Sequence, residues 1–522
     1  MGFSVGNRRH HVAPVAGIRP MPARVLHYGP VPAPLPRHRR PPGTRSPARY
    51  AAGLLAVALA ASGQVPGDSP AASSAAPPAG LATDAAATRN AAQQTFLRLI
   101  DEKRYEEAIG IGAQIVELTR RLHGDDSLEL VTPLTNLGTA QLEHGDLLAA
   151  EASYRQAVAI VERRDGVVSP RLVNPLVGLG ATYARGGLYP QAIEAYQRAL
   201  HANHASEGFF NLGQIRIRDG LSEGFLGLGQ LARANAQQRI QVTINRRHAP
   251  GDRAAQAQAL QKLGRWYNRT GQYQESRAAF QESRRIIHDS SGDSDPALVD
   301  SYLGEALSYG NEGAIPAAAA VLKRGLDLVD SQPTVDHRKR AQVLVALGDL
   351  YGAARQPRAA RQRYVDAWSE LSGDDTLLED RDRYFAQPLR IGGPVLPDAV
   401  DADGRALVST KRGTGSEGVV VAALTVTADG RAADARIIES TPPGLMDQQM
   451  LRMLDAAAFR PAMEDGVPVD RADVQLRHAF RYPIAPAASR GDVPLQAPGT
   501  GKGGEDRPLA YPGSNGKDGD GP

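Results

Sequence analysis

Along residues 94–374, small and apolar positions return on a fixed grid. Ala108, Ala150, Ala192, Ala234, Ser276, Ala318 and Ala360 follow one another at steps of 42 residues. Gly145, Gly187, Gly229, Gly271 and Gly313 run five residues ahead of that row, and Tyr183, Phe225, Tyr267, Tyr309 and Tyr351 nine ahead. Leu137, Leu179, Leu221, Leu263 and Leu347 form a fourth row in register. Parallel rows at one period mean an array of a single supersecondary unit, each copy too small to bury its apolar face without its neighbours.

Inside one copy, Leu134, Leu137, Gly138 and Gln141 are followed, beyond Gly145, by Leu147, Ala150, Tyr154, Ala157, Val158 and Val161. Steps of three and four on both sides predict two amphipathic helices. Gly145 falls where a helix commonly ends in the left-handed conformation that glycine enters without penalty. Small residues at Gly138 and Ala150 let the two helices approach closely, where a larger side chain would overpack by roughly 1–3 kcal/mol. Polar breaks with Gly124, Gly166, Gly208 and Gly292, on the same grid, end the second helix of each pair.

This pattern resembles the tetratricopeptide repeat. Leu179, Gly180, Tyr183, Ala192, Tyr196 and Ala199 match that family's positions, as do Leu347, Gly348, Tyr351, Ala360, Tyr364 and Ala367. The pitch exceeds the usual ~34 residues and is similar to the long-helix variant of kinesin light chains. Leu134, Leu176, Leu260 and Leu344 replace the large aromatic common early in the family's first helix. The copy around Ala234 is eroded, with Gln238 and Gln241 where an aromatic and a small residue belong. The resemblance implies a superhelix with a concave protein-binding surface, and is specific for fold rather than function.

Beyond Gly392, Gly393, Pro394 and Pro397 the period changes. Val419 to Thr427 is β-branched and apolar, Asp429–Gly430 is a hairpin turn signal, and Ala433 to Glu439 continues as a second strand. Leu445, Met446, Met450, Met453, Leu454 and Ala457 then recur at helical steps and predict one helix of about three turns. Val474, Leu476, His478 and Phe480 alternate with polar neighbours, which predicts a strand with one face buried. Three strands and a helix make a small two-layer α+β domain.

That order resembles the C-terminal domain of TonB, the periplasmic end of the energy transducer that contacts outer-membrane transporters. The likeness rests on Pro394–Val395–Leu396–Pro397, Glu417–Gly418–Val419–Val420, Asp429–Gly430–Arg431, Leu445–Met446–Asp447, Phe459–Arg460–Pro461–Ala462 and Asp465–Gly466–Val467–Pro468–Val469. It implies that the domain takes partner peptides by adding a strand to an exposed sheet edge. By resemblance the edge is the strand carrying Val474, Leu476, His478 and Phe480, whose side chains are core and whose backbone binds. The family's transducers also carry an N-terminal membrane helix, and no apolar run of that length is found here.

Cysteine is absent from all 522 residues, which removes disulfides, thiolate catalysis and cysteine-ligated zinc. The net charge of +3 hides an asymmetry: residues 1–62 hold nine arginines and no acid or lysine, leaving −6 elsewhere (3 − 9). The basic balance is therefore no sign of a nucleic-acid partner. Ala51 to Ala61 is a small, apolar run preceded by Arg45 and Arg49, a layout that reads as a secretory signal peptide. Its eleven residues are too few to span a bilayer, which needs about 20.

No catalytic constellation, cofactor site or metal site is predicted. His201 and His204 share a helix face without a third ligand and read as a solvated pair. Gly224, Gly227 and Gly229 mimic a phosphate loop but lie inside a helical repeat. Ser416, within Gly413 to Gly418, lacks the spacing of a nucleophile elbow. A partner of the repeats would meet the first-helix face turned away from Leu260, Leu263, Gly264 and Tyr267. There Gln261, Arg265, Asn268 and Arg269, with Arg216 of the preceding copy, could hold a carboxylate, because arginine forks suit that group.

The chain accordingly divides into a basic leader and signal peptide (1–62), an Ala/Pro linker (63–90), the repeat array (91–376), a capping helix and linker (377–400), the TonB-like domain (401–484) and a disordered tail (485–522). The expected fold is mainly α, about seven two-helix repeats followed by a small α+β domain. The expected function is a periplasmic, non-enzymatic adaptor of a Gram-negative cell. Its partners would be proteins or peptides, such as an envelope protein or outer-membrane transporter, with no nucleic acid and no transmembrane helix after processing. The alternative is an energy transducer for outer-membrane transport, held in the inner membrane and facing the periplasm.

Overall fold

A computed structural model describes residues 79–483, apart from positions 399, 402 and 406–415. The leader with its apolar run and the tail from 485 lie outside the described residues. Fourteen helices pair in sequence order. They are α1 (Ala79–Asp101) with α2 (Tyr105–His123), α3 (Val131–His144) with α4 (Leu147–Asp165), and α5 (Val173–Arg185) with α6 (Tyr189–Glu207). Next come α7 (Gln214–Gly227) with α8 (Leu231–His248), and α9 (Arg253–Arg269) with α10 (Tyr273–Ser291). Finally, α11 (Leu298–Asn311) pairs with α12 (Ile315–Asp330), and α13 (His337–Ala353) with α14 (Pro357–Ser372). The seven pairs are the seven copies on the 42-residue grid.

The turn inside each copy falls where the glycine row predicts it. Gly145 has φ 102° and ψ 3°, and its N–H donates to the carbonyls of Gln141 and Leu142, closing α3. The first and last copies put Lys103 and Arg355 at the same grid position with φ near 60°, a conformation that non-glycine residues seldom adopt.

Neighbouring copies lock through an aromatic wedge. The Tyr154 ring of α4 lies between two glycines: a Cβ on Gly138 of its own copy would sit 3.0 Å from the ring, and one on Gly178 of the next copy 2.2 Å. Tyr196 is seated the same way against Gly180 and Gly220, and Phe280 against Gly264 and Gly304. Only a residue without a side chain admits the ring so closely. The eroded copy changes all three members of the lock together. Gln238 stands for the ring, Ser222 for the first glycine and Lys262 for the second. The space is filled by a polar network: Gln238 Nε2 donates to Asp219 Oδ1 at 3.0 Å and to Ser222 Oγ at 3.1 Å, and Lys262 Nζ donates to Asp219 Oδ2 at 2.6 Å.

Helix α1 begins at Ala79, inside the segment expected to be linker. Alanine is the strongest helix former, and the last prolines of the stretch, Pro77 and Pro78, stop just before it.

The segment expected as a capping helix and linker is corrected more deeply. The helix is short, α15 (Leu378–Phe385), and a strand follows it, β1 (Leu389–Gly392). Leu396 and Val400 then enter the core of the C-terminal domain. That domain holds β2 (Ser416–Val426), β3 (Ala432–Thr441), α16 (Asp447–Ala456), β4 (Ala458–Arg460), β5 (Ala462–Glu464), β6 (Val467–Val469) and β7 (Arg471–Tyr482). The main sheet is antiparallel in the order β3-β2-β7, while β1 pairs with β4 and β5 with β6. Val420, Ala422, Leu424 and Val426 of β2 face Met450, Met453 and Leu454 of α16 and close one core.

Candidate functional site

Helix α9 presents the residues singled out for a partner of the array, and the structure divides them. Gln261 is buried and donates to Ser301 Oγ at 3.0 Å, and buried Asn268 donates to the Gly304 carbonyl at 2.8 Å. Both are spent on holding α11, because each first helix packs against the next first helix as well as its own partner. They are withdrawn from the binding face. Arg269 is exposed, pairs with Glu223 of the preceding copy and lies 4.7 Å over the Trp266 ring. Such an exposed pair is worth little to stability.

Arg216 and Arg265 are different. Neither forms an ion pair with a carboxylate among the described residues. Arg216 is half-buried on α7 and donates to Asn174 Oδ1 of the preceding copy at 2.7 Å. Burial pulls its guanidinium below the ordinary value, with Tyr154 and Tyr196 opposing. Arg265 is reached by solvent yet flanked by protein, so desolvation lowers its guanidinium too, with Asp300 of α11 opposing. Two guanidiniums without a carboxylate partner among the described residues are each free to receive one from outside.

In the C-terminal domain, Val474, Leu476 and His478 are half-buried and Phe480 is buried, all on the face of β7 turned to α16. His478 Nε2 lies 2.9 Å from the Pro397 carbonyl oxygen, and its ring stacks on Phe480 with centroids 6.2 Å apart. The outer main chain of β7 is occupied at its far end only. Arg481 N–H donates to the Asp398 carbonyl at 2.9 Å, and its own carbonyl accepts from Val400 N–H at 2.8 Å. The antiparallel ladder with β2 then requires Ala479, Arg477 and Gln475 to point their N–H and C=O groups the same way. Among the described residues, no main-chain group meets those three.

Sequence reasoning missed the joint between array and C-terminal domain. Arg460 of β4 makes a bidentate pair with Asp349 of α13, Nε to Oδ1 at 2.9 Å and Nη2 to Oδ2 at 2.6 Å, with both side chains 3 % exposed. Tyr364 Oη of α14 donates to the same Asp349 Oδ1 at 2.9 Å, and Arg460 Nη1 donates to the Tyr384 carbonyl at 3.2 Å. Burial would lower the Arg460 guanidinium, but Asp349 outweighs it and holds the group above its ordinary value. Met463 of β5 sits in one core with Ala341, Leu344 and Tyr364, and Arg355 Nη2 donates to the Ala456 carbonyl at 2.8 Å. Arg460 was visible as a family position, but nothing local pointed to its partner.

Among the described residues, no group of three or more His, Cys, Asp or Glu is placed to hold a metal ion, and no helix is long and apolar enough to cross a membrane.

Residues 99–163 and 256–297 match tetratricopeptide repeat models. Residues 411–482 match the model of the Gram-negative bacterial TonB protein C-terminal. Similar solved structures include BtubC (BKLC) from P. vanneervenii, 22% identical, covering 44% of this chain and 94% of that one, with a TM-score of 0.35. Another is a kinesin light chain with nearly identical TPR-like repeats from Podosopora anserina, 17% identical, covering 40% and 99%, with a TM-score of 0.34. The apo form of the quorum sensor NprR from B. thuringiensis is 14% identical over 57% and 85%, with a TM-score of 0.32. No curated protein matches.

Proposed function

We propose that this chain is a non-enzymatic adaptor of the Gram-negative envelope, exported through the apolar run at 51–61 and working in the periplasm. The repeat array holds one protein partner, with Arg216 and Arg265 receiving a carboxylate. The C-terminal domain takes an extended segment of a second partner, such as an outer-membrane transporter, along β7. The observation that carries this reading is the state of the β7 edge. Its far end already accepts a strand-like piece of the same chain through Arg481, and the adjoining groups at Ala479, Arg477 and Gln475 continue the same pattern. Main-chain bonds would supply affinity there, and alternate side chains choice.

The test exploits the direction of those groups. Proline at Arg477 removes an outward-facing donor and leaves the ladder to β2 intact, which an edge strand tolerates. A photo-crosslinking residue at Gln475 in native cells should give an envelope-protein adduct that Arg477→Pro abolishes. Adducts that survive the proline, or equal ones from a remote exposed site, would sink the reading. The N-terminal residue and cell fraction of the native protein test the export step: a soluble periplasmic species beginning near Gly63 is expected. An uncleaved species held in the inner membrane would favour energy transduction instead.

A further inference from the structure

Large exposed apolar side chains in the array are confined to residues 148–228; among the described residues the last three copies expose none. Four of them stand on one edge, in the loops that follow α4 and α6. Val167 and Val168 come after Gly166, and Phe209 and Phe210 come after Gly208 one period later. Val167 is 69 % exposed and Phe209 70 %.

The other copies act as an internal control. The same two positions hold Asp125 and Asp126 after Gly124, and Asp293 and Ser294 after Gly292. The leading glycine keeps one conformation throughout, φ 79–86° with ψ within about 20° of 180°: ψ is 164° at Gly124, 173° at Gly166, −178° at Gly208 and −179° at Gly292. A backbone that carries aspartate or serine equally well does not require valine or phenylalanine. Apart from the contacts of Phe209 with His204 and of Phe210 with Arg247, their apolar surface is turned outward.

We propose that this edge rests on an anionic lipid surface. Beside the loops, Arg246 and Arg247 end α8 and Arg253 opens α9; all three are exposed and form no ion pair among the described residues. The Arg247 guanidinium lies 4.2 Å from the Phe210 ring centroid. The acids on the same loops are fewer than the arginines: Asp165 is paired with Arg171, and Asp252 at the N-cap of α9 and Glu207 at the end of α6 set two negative charges against three positive ones. The four side chains stand as two short pairs at loop tips. They make a small surface against the roughly 800 Å² per partner of a stable protein interface. Shallow insertion of a few apolar tips flanked by arginine is what a headgroup region rewards.

Flotation of the full chain with vesicles of phosphatidylethanolamine and phosphatidylglycerol tests this. Val167→Asp, Val168→Asp, Phe209→Asp and Phe210→Asp together copy a sequence the array already tolerates at Asp125–Asp126, so the fold should be kept, with the melting curve lowered only by the lost contacts of Phe209 with His204 and Phe210 with Arg247. The bound fraction should fall ~10-fold or more. The corresponding serine variant separates lost insertion from added charge and should fall nearly as far. Arg247→Glu should weaken binding and reduce its sensitivity to salt. Parent protein that does not float, or variants that float equally, would overturn the proposal. A change in sedimentation without vesicle binding would overturn it as well, assigning the edge to a protein contact.

Discussion

The joints between repeats and the joint between the last repeat and the C-terminal domain solve one problem with opposite chemistry. Between repeats, a ring enters the gap left by two glycines, and the contact is largely apolar and so close that a single added methyl overpacks it. At the domain joint, a buried carboxylate takes both a bidentate arginine and a tyrosine hydroxyl. The first kind can be copied along a chain at one period. The second fits one place only, since a buried charge without its partner is costly. The array is therefore modular up to α14 and continuous with the C-terminal domain beyond it.

The sharpest way to break this comparison is to remove one charge. Asp349→Ala leaves Arg460 buried and unpaired and should cost about 3–5 kcal/mol, read as a lower denaturant midpoint and as release of the C-terminal domain by limited proteolysis. Asp349→Leu with Arg460→Met should recover most of that loss; if it does not, the ion pair is not what holds the joint.

A wedge should yield less. Gly178→Ala puts a methyl 2.2 Å from the Tyr154 ring and should cost about 1–3 kcal/mol by overpacking. In the eroded copy, Gln238→Tyr should destabilise by a similar amount, because Ser222 and Lys262 occupy the ring's place. The triple change with Ser222→Gly and Lys262→Gly should restore an apolar lock, and a triple variant no more stable than Gln238→Tyr would refute the correlated reading.

Tyr154 gives the wedge a pH signature. Burial pushes its phenol up to about 12 from an ordinary 10.0, despite the Thr139 hydroxyl at 3.0 Å. The unfolded chain thus releases that proton first. Stability is full below about pH 10 and falls as pH rises towards 12, at no more than about 1.4 kcal/mol per unit for this one group. Tyr154→Phe should flatten that part of the alkaline limb in a urea titration. Smallest, and opposite in sign, is Gly110→Ala in α2: a Cβ there meets nothing within 4 Å, so the helix should gain about 0.5–1 kcal/mol.

Much of this architecture was legible in the chain. The 42-residue rows located the helical pairs and their turns, a β-branched apolar run with the Asp429–Gly430 turn signal located β2 and β3, and alternation located β7. The short strands β1, β4, β5 and β6 were not legible, since three or four residues are too few to show a period. Gln261 and Asn268 were placed on an open face because a helical wheel shows which side leaves its own partner. It does not show that the next first helix covers that side. Arg216 and Arg265 were found by type and spacing, but their lack of a carboxylate partner is a property of the assembled array.

The sequence by itself determined the unit, its repetition and the presence of a second, smaller domain, because those rest on contacts within a copy or between adjacent copies, which recur at a fixed separation. Tertiary structure alone decided the meeting of Asp349 with Arg460 across 111 residues, the covering of Arg481 by Asp398 and Val400, and the groups left open along β7. A contact made once, between segments whose separation no period encodes, leaves no pattern along the chain. Its energy comes from burial that exists only after folding.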